Sequence, residues 1–391
     1  MGVVRMILSL ILTVFQLIGS FIVPGNSFDY IKESFTATNK ACYSERYYKL
    51  SETRENNTDS WRNGMVSGNG LQGVITSGAP YSDSLIYQNI HFIMPNDKVR
   101  YCPDTSDELE TVKQNIAESK DIVDTASYDD VYSFHPGGAL RIKQSWQPTI
   151  KYYRYTNYET AEVGVKYTNF GGTWERVSFT SQTDNATITK ISESSKGKKV
   201  NLTLSFDNIS TFANFENGSE VDLKYKKLVS ENLDTISFIA HYPEYEESEL
   251  KNGAYATVVY VIAEGGTKEK VTLKDVKDTQ YCGEDNPGIK ITDANNVYLI
   301  AISERNHNVG TIEEFTKATD YQLINAITAK AKEIQNKYSK DGKFSYENSI
   351  KEHTKIFANE YNKVTINLGE SDSTLSNEKL IFNQITKKKI N

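Results

Sequence analysis

The sequence predicts a mainly β protein, a large antiparallel β-sandwich followed by a short α-helical linker. Three observations carry that prediction. From about residue 70 to 305, short runs of alternating apolar and polar residues recur, separated by Gly, Asn, Asp and Lys clusters. Tyr is abundant, 25 residues against 3 Trp, and strands favour aromatic and β-branched side chains. After residue 310 the alternation gives way to a helical period. The 391 residues suffice for one large domain with a smaller appendage, or for two modest domains.

The first element is "MGVVRMILSLILTVFQLIGSFIVPGNS", residues 1–27. Arg5 supplies a positive start, and Ile7 to Val23 is apolar apart from Ser9, Thr13, Gln16, Gly19 and Ser20. This pattern reads as a secretory signal peptide, with cleavage after Ser20 or Ser27 fitting the small residues there. The run approaches spanning length, so a retained signal anchor is the alternative. The expectation is a secreted or extracellular chain, meeting a membrane only if the leader is kept.

The β region follows. "VNLTLSF" (Val200–Phe206) is its cleanest strand: Val200, Leu202, Leu204 and Phe206 share one face, and Asn201, Thr203 and Ser205 take the other. "TAEVGVKYT", "TWERVSFTS", "ATITKIS", "TISFIAHY", "YATVVYVIA" and "NVYLIAIS" follow the same grammar. One interruption, Ser106–Ser127, carries Leu109, Val112, Ile116 and Ile122 near helical spacing and reads as a helical insertion.

Beyond residue 310, "TIEEFTKATDYQLINAITAKAKEIQNKYS" aligns Leu323, Ile327, Ile334 and Tyr338 on one stripe. Thr311 with Glu313 and Glu314 suits its N-terminus. Asp341-Gly342 breaks the helix, and "SYENSIKEHTKIFANEYNKV" forms a second amphipathic one. The expected division is residues 1–27 leader, 30–310 sandwich, 311–370 helical linker and 371–391 a basic tail.

The chemistry is read largely by exclusion. A net charge of −7 gives no broad attraction to nucleic acid. "WRNGMVSGNGLQGVITSG" (Trp61–Gly78) is glycine-rich, but it holds no Lys for a phosphate loop. A dinucleotide fingerprint needs a strand before the glycines and a helix after them, and here the order fails. Its glycines read as turn and close-packing positions leading into a core strand. His91, His135, His241, His307 and His353 include no i, i+4 pair, so no metal site is expected. Cys42, Cys102 and Cys282 form no CxxC, and an exported chain could join any two. No G-x-S-x-G elbow appears. Asn56, Asn185, Asn201, Asn208 and Asn217 begin glycosylation sequons, expected by chance in an Asn-rich chain. No cofactor is expected.

Four stretches in order resemble the N-terminal part of glycoside hydrolase family 95. Ser67-Gly68-Asn69-Gly70-Leu71-Gln72-Gly73 resembles that family's P-x-G-N-G-x-x-G, and Asn89 matches the Asn after its second strand. "FHPGGALRIKQSW" resembles a G-x-L-x-I/L strand. In "YRYTNYETAEVGVKYTNFGGTWERVSFTS", the segments Tyr155 to Tyr167, Gly171-Gly172, Trp174 to Arg176 and Phe179 to Ser181 carry the third match. His353, Phe357, Val364 and Leu368-Gly369 carry the fourth. Two departures mark a divergent subfamily: "NIHFIMP" replaces an acidic motif, and Arg176-Val177 replaces Arg-Glu.

The resemblance implies an N-terminal β-supersandwich and helical linker, which in that family precede an (α/α)6 barrel and a C-terminal β-domain. It implies α-L-fucosidase or α-galactosidase chemistry in carbohydrate metabolism, with an acid on the leaving oxygen and a water activated opposite. That machinery lies in the barrel, which the resemblance does not reach. The chain is therefore expected to be inactive alone, with no catalytic or metal residues. Asn69 and Asn89 are the candidate substrate-binding residues, and a glycan is met through a missing or separate catalytic domain. A stand-alone carbohydrate-binding module using exposed Tyr and Trp, or a docking partner for a separate catalytic chain, is the alternative.

Overall fold

The computed structural model describes residues 41–44, 64–92, 106, 109–118, 137–195, 197, 199–207, 225–241, 253–273, 286–306, 319–364, 376–377, 380 and 382–384. The leader, Cys102, Cys282, His135, His307, the sequons at Asn56, Asn208 and Asn217, and most of the basic tail lie outside them.

The strands run β1 (Ala41–Ser44), β2 (Met65–Gly68), β3 (Gln72–Thr76), β4 (Ser82–Asn89), β5 (Ala139–Lys143), β6 (Thr149–Asn157), β7 (Glu162–Asn169), β8 (Gly172–Thr180), β9 (Thr187–Glu193) and β10 (Val200–Phe206). They continue as β11 (Tyr225–Val229), β12 (Thr235–His241), β13 (Ala254–Glu264), β14 (Thr267–Thr272), β15 (Pro287–Ala294) and β16 (Asn296–Arg305). Helix α1 (Leu109–Ala117) falls between β4 and β5. Helix α2 (Asp320–Lys337), a small hairpin β17 (Ser339–Lys340) and β18 (Lys343–Phe344), and helix α3 (Tyr346–Tyr361) follow the last long strand.

Two sheets form the sandwich. One has nine strands in the order β1-β6-β7-β8-β9-β16-β13-β12-β11, the other seven in the order β14-β15-β10-β5-β4-β3-β2. Among the described residues every ladder is antiparallel. The fold class expected from the alternating pattern is the one observed. β10 shows why: Val200, Leu202, Leu204 and Phe206 are buried together in the core between the sheets.

β13 and β16 pair over their whole length and are buried on both faces. Val297, Leu299 and Ala301 of β16 point into the sandwich, whereas Tyr298, Ile300 and Ile302 belong to a second cluster on the outer face. That outer face needs a cover, and α2 supplies it. Leu323, Ile327, Ala331 and Ile334 are the buried stripe of α2 and pack in the same second cluster. The expected stripe, with Tyr338 at its end, is therefore the docking face of the helix.

The start of α2 differs from expectation. Thr319 is extended, at φ −76 and ψ 162, and caps the helix in a reciprocal box with Gln322. The helix therefore opens at Asp320 rather than Thr311, which lies outside the described residues. This start sets the Asp320 carboxylate beside Lys226 at 3.1 Å and His241 at 2.9 Å on the sheet below. The Asp341-Gly342 break is the turn of the β17–β18 hairpin, with both residues at positive φ, 52 and 75. The helical insertion is described as α1 only over Leu109–Ala117, with no residue of it buried.

α3 docks through an aromatic contact. Phe179 of β8 meets Tyr346 edge-on at 5.4 Å and the His353 ring at 5.0 Å. His353 is fully buried. Its Nδ1 accepts from the Gln182 backbone N–H at 3.1 Å, so its Nε2 donates to the Thr160 carbonyl at 3.1 Å. Burial pushes this imidazole below its ordinary value of 6.5, outweighing the Thr160 carbonyl.

This depression has a definite sign. Above the ordinary value His353 is neutral in both folded and unfolded chains, and its stabilising contribution is fully present. Below it the unfolded chain takes up a proton that the folded chain resists, so stability is lost as pH falls. The melting temperature is expected to drop between about pH 7.5 and about pH 5.5. His353→Gln, whose amide can serve both partners, should flatten part of that drop. Glu162, whose carboxyl is raised by burial, acts in the opposite sense and is common to both proteins. Identical pH profiles for the two would contradict this role for His353.

Candidate functional site

The glycine-rich stretch builds the β2–β3 hairpin, in which Gly68 pairs with Gly73. Gly70 stands in its turn at φ 87, and a side chain there would meet nothing within 4 Å. Gly73 is the close-packing position: a Cβ would lie 2.9 Å from the Ser67 carbonyl oxygen. The two roles expected for these glycines fall to different residues.

Asn69 organises the same turn. Its Oδ1 accepts from the backbone N–H groups of Leu71 and Gln72, each at 3.0 Å. Its Nδ2 donates to the Ser181 carbonyl at 2.8 Å and to Asn185 Oδ1 at 3.0 Å. Asn89 is buried, donates to the Ser303 carbonyl at 2.7 Å, and accepts from the His91 backbone N–H at 2.9 Å. Gln72 Oε1 accepts from the Ser303 N–H at 2.9 Å, so β3 and β4 side chains together satisfy both backbone groups of one β16 residue. Both candidate asparagines thus tie the two sheets together, and neither is among the lining residues of the cavity at the end of the sandwich.

The buried charges are likewise engaged. Asp83 in β4 accepts from Thr76 Oγ1 at 2.6 Å, Ser77 Oγ at 2.5 Å, and the backbone N–H groups of Gly78 at 3.0 Å and Ser84 at 2.9 Å. Across the sandwich Arg176 of β8 donates to the same carboxylate and, at 2.9 Å, to the Ala79 carbonyl. Arg141 of β5 grips Asp207 through two nitrogens at 3.2 and 2.7 Å, and Ser84 Oγ adds a donor at 2.8 Å. Burial raises the Asp207 carboxyl above its ordinary value, with Arg141 opposing. Arg176, the retained Arg of the Arg176-Val177 pair that departs from Arg-Glu, is one half of the inter-sheet tie.

An open cavity of about 570 Å³ lies at one end of the sandwich. Its walls come from both sheets: Tyr81 ahead of β4 and Gln147 after β5 on one side, Trp174 of β8 on the other. Beneath it is a small separate core of Tyr152, Val165 and Tyr167, against which Tyr81 and Trp174 pack. Tyr81 meets Tyr167 edge-on at 5.2 Å.

Asn169, at the β7–β8 turn, sets the aromatic geometry. Its Oδ1 accepts from the Gly171 N–H at 2.7 Å, the Gly172 N–H at 3.0 Å and Trp174 Nε1 at 3.3 Å, and its Nδ2 donates to Tyr81 Oη at 3.1 Å. On the rim, Asn201 Oδ1 accepts from the Asp293 N–H at 3.0 Å, and Lys199 donates to Asn295. Among the described residues, the Gln147 amide, the Ser145 hydroxyl and the Asp293 carboxylate have no hydrogen-bond partner. Trp146 and Phe170, 74% and 79% exposed, each sit in sequence between two cavity residues.

Sequence reasoning missed this cavity because its walls come from four separate loops and the ends of the strands they join. The available signal was "NFGGTW" together with "QSWQ", two turns that carry Trp beside amide side chains. Among the described residues no cluster of His, Cys, Asp and Glu could hold a metal, and no helix is long and apolar enough to cross a membrane.

A family model described as the N-terminal domain of glycosyl hydrolase family 65 matches residues 53–296. Among curated proteins none matches. Among solved structures, one described as "Putative kojibiose phosphorylase from human microbiome" is similar at 10% identity and a TM-score of 0.42. The likeness covers 80% of this chain and 39% of that one. The glycoside hydrolase N-terminal sandwich expected from the motifs agrees with the family model, and the family matched is 65, not 95.

The glycine roles are separable by mutation. Gly73→Ala forces a Cβ against backbone and is expected to cost about 1–3 kcal/mol in denaturant unfolding. Gly70→Ala meets open space and should cost about 1 kcal/mol through backbone strain alone. Equal costs, or the reverse order, would refute the division.

Proposed function

The chain belongs to the family of glycosyl hydrolase family 65 N-terminal domains, and from that premise we propose that it serves as the sandwich module of a glycan-processing protein. In this reading the module supports and orients sugar-processing machinery and supplies no acid or base of its own. The observation that carries it is the way α3 is mounted. Tyr346, Ser349 and His353 fix the helix to the nine-stranded sheet, while Ile356 and Tyr361 on the same helix stay exposed, 45% and 39%. A helix docked through one stripe, with Ile356 and Tyr361 left in water among charged residues toward its C-terminal end, suits a module that meets a further unit.

The finer reading, that the reaction is α-L-fucoside or α-galactoside hydrolysis, rests on the motif resemblance around Tyr155–Ser181. The leader-like residues 1–27 support export, with glycans as the substrates met there and nucleic acid excluded by the charge. The alternative of a docking partner for a separate catalytic chain uses the same face of α3.

Hydrolysis assays test the module reading. The purified chain is expected to release no nitrophenol from α-L-fucoside, α-galactoside or α-glucoside substrates above background. Turnover that disappears on mutating a carboxylate, with Glu162→Gln and Glu175→Gln as the first variants, would overturn it.

A further inference from the structure

We propose that the cavity at the end of the sandwich is a binding site for a neutral oligosaccharide, with a pyranose ring packed on its aromatic lining. This goes beyond the module reading and stands on the cavity alone. Its volume of about 570 Å³ lies within the ordinary range of small-molecule sites, roughly 300–1,000 Å³. Its walls combine what a sugar needs. Pyranose C–H faces are apolar and pack on aromatic rings, and Trp174 and Tyr81 supply such rings in the lining. Sugar hydroxyls need both donors and acceptors, and Gln147, Ser145 and Asp293 offer them with no hydrogen-bond partner among the described residues.

The charge of the lining selects against an anionic ligand. Lys199 is the lining cation, and its ammonium already donates to Asn295. Asp293 brings the opposite charge to the same rim. Among the described lining residues a phosphate or sulfate would meet no guanidinium, and the Lys199 ammonium is countered by the Asp293 carboxylate. The aromatic geometry is fixed before any ligand arrives, because Asn169 bonds to Trp174 and to Tyr81 at once.

Exposure supplies a second, independent observation. Phe170 and Trp146 are, at 79% and 74%, among the most exposed large apolar side chains of the described residues. They stand on the two turns that frame the cavity, Phe170 between Asn169 and Gly171, Trp146 between Ser145 and Gln147. An aromatic pair left in water beside a polar cavity extends it into a platform for further sugar units.

The test uses the full chain on an array of neutral gluco-, galacto-, manno- and fuco-oligosaccharides, with titration of the best binder by tryptophan fluorescence. At least one neutral oligosaccharide is expected to bind. Trp146→Ala and Gln147→Ala should each weaken it about tenfold at unchanged melting temperature. Tyr321→Ala, which removes an aromatic of similar exposure on α2, should leave binding as it was. Absence of binding to every neutral glycan, binding only to sulfated or sialylated ones, or binding that survives both cavity mutations overturns the assignment. The readout is binding by this chain alone, so its failure and a failure of the hydrolysis expectation are told apart.

Discussion

Among the described residues, one buried ion pair bridges the two sheets of the sandwich. Asp83 sits on β4 of the seven-stranded sheet and Arg176 on β8 of the nine-stranded one, each almost wholly buried. Taking both charges out of water is costly, and their attraction offsets that cost only when the remaining lone pairs are also satisfied. Here Thr76, Ser77, Gly78 and Ser84 supply the other donors, so the carboxylate organises the whole β3–β4 connection. The constraint reaches the cavity from both sides. Tyr81 belongs to the connection that Asp83 organises, and Trp174 lies two residues before Arg176 on the opposite sheet.

The pair is part of a longer polar line through an apolar sandwich. Ser84 gives its N–H to Asp83 and its hydroxyl to Asp207, which Arg141 then clasps. A one-residue slip of β4 would turn Leu85 and Tyr87 out of the core and leave Asp83 without its donors. Asn89 and Gln72 add a second fastening at Ser303, and Asn69 a third at Ser181. The residues that made "SGNGLQG" look like a ligand loop are therefore fasteners between sheets. The groups left over for a ligand lie at the other turns.

Much of this architecture was legible in the sequence. Period-two alternation located β7 to β10, β12, β13 and β16, because side-chain direction in a strand follows chain position alone. The α2 stripe was legible for the same kind of reason, and its packing buries the outer face of β13 and β16 as well. The capping residue was harder. Thr311 and Thr319 each stand three residues before a Glu or Gln, and the sheet contacts of Asp320, invisible in sequence, accompany the start at Thr319. Asp83 and Arg176 are 93 positions apart, and no local pattern pairs them. The cavity was illegible for that reason too, since it unites loops that only the sheet order brings together.

The central claim is that Asp83 and Arg176 act as one unit. A double-mutant cycle with Asp83→Asn and Arg176→Met, followed by denaturant unfolding, tests it most directly. Arg176→Met alone should cost about 3–5 kcal/mol, because it strands a buried carboxylate. The double mutant should cost at least about 2 kcal/mol less than the sum of the single ones. Costs that add to within about 0.5 kcal/mol would contradict the account.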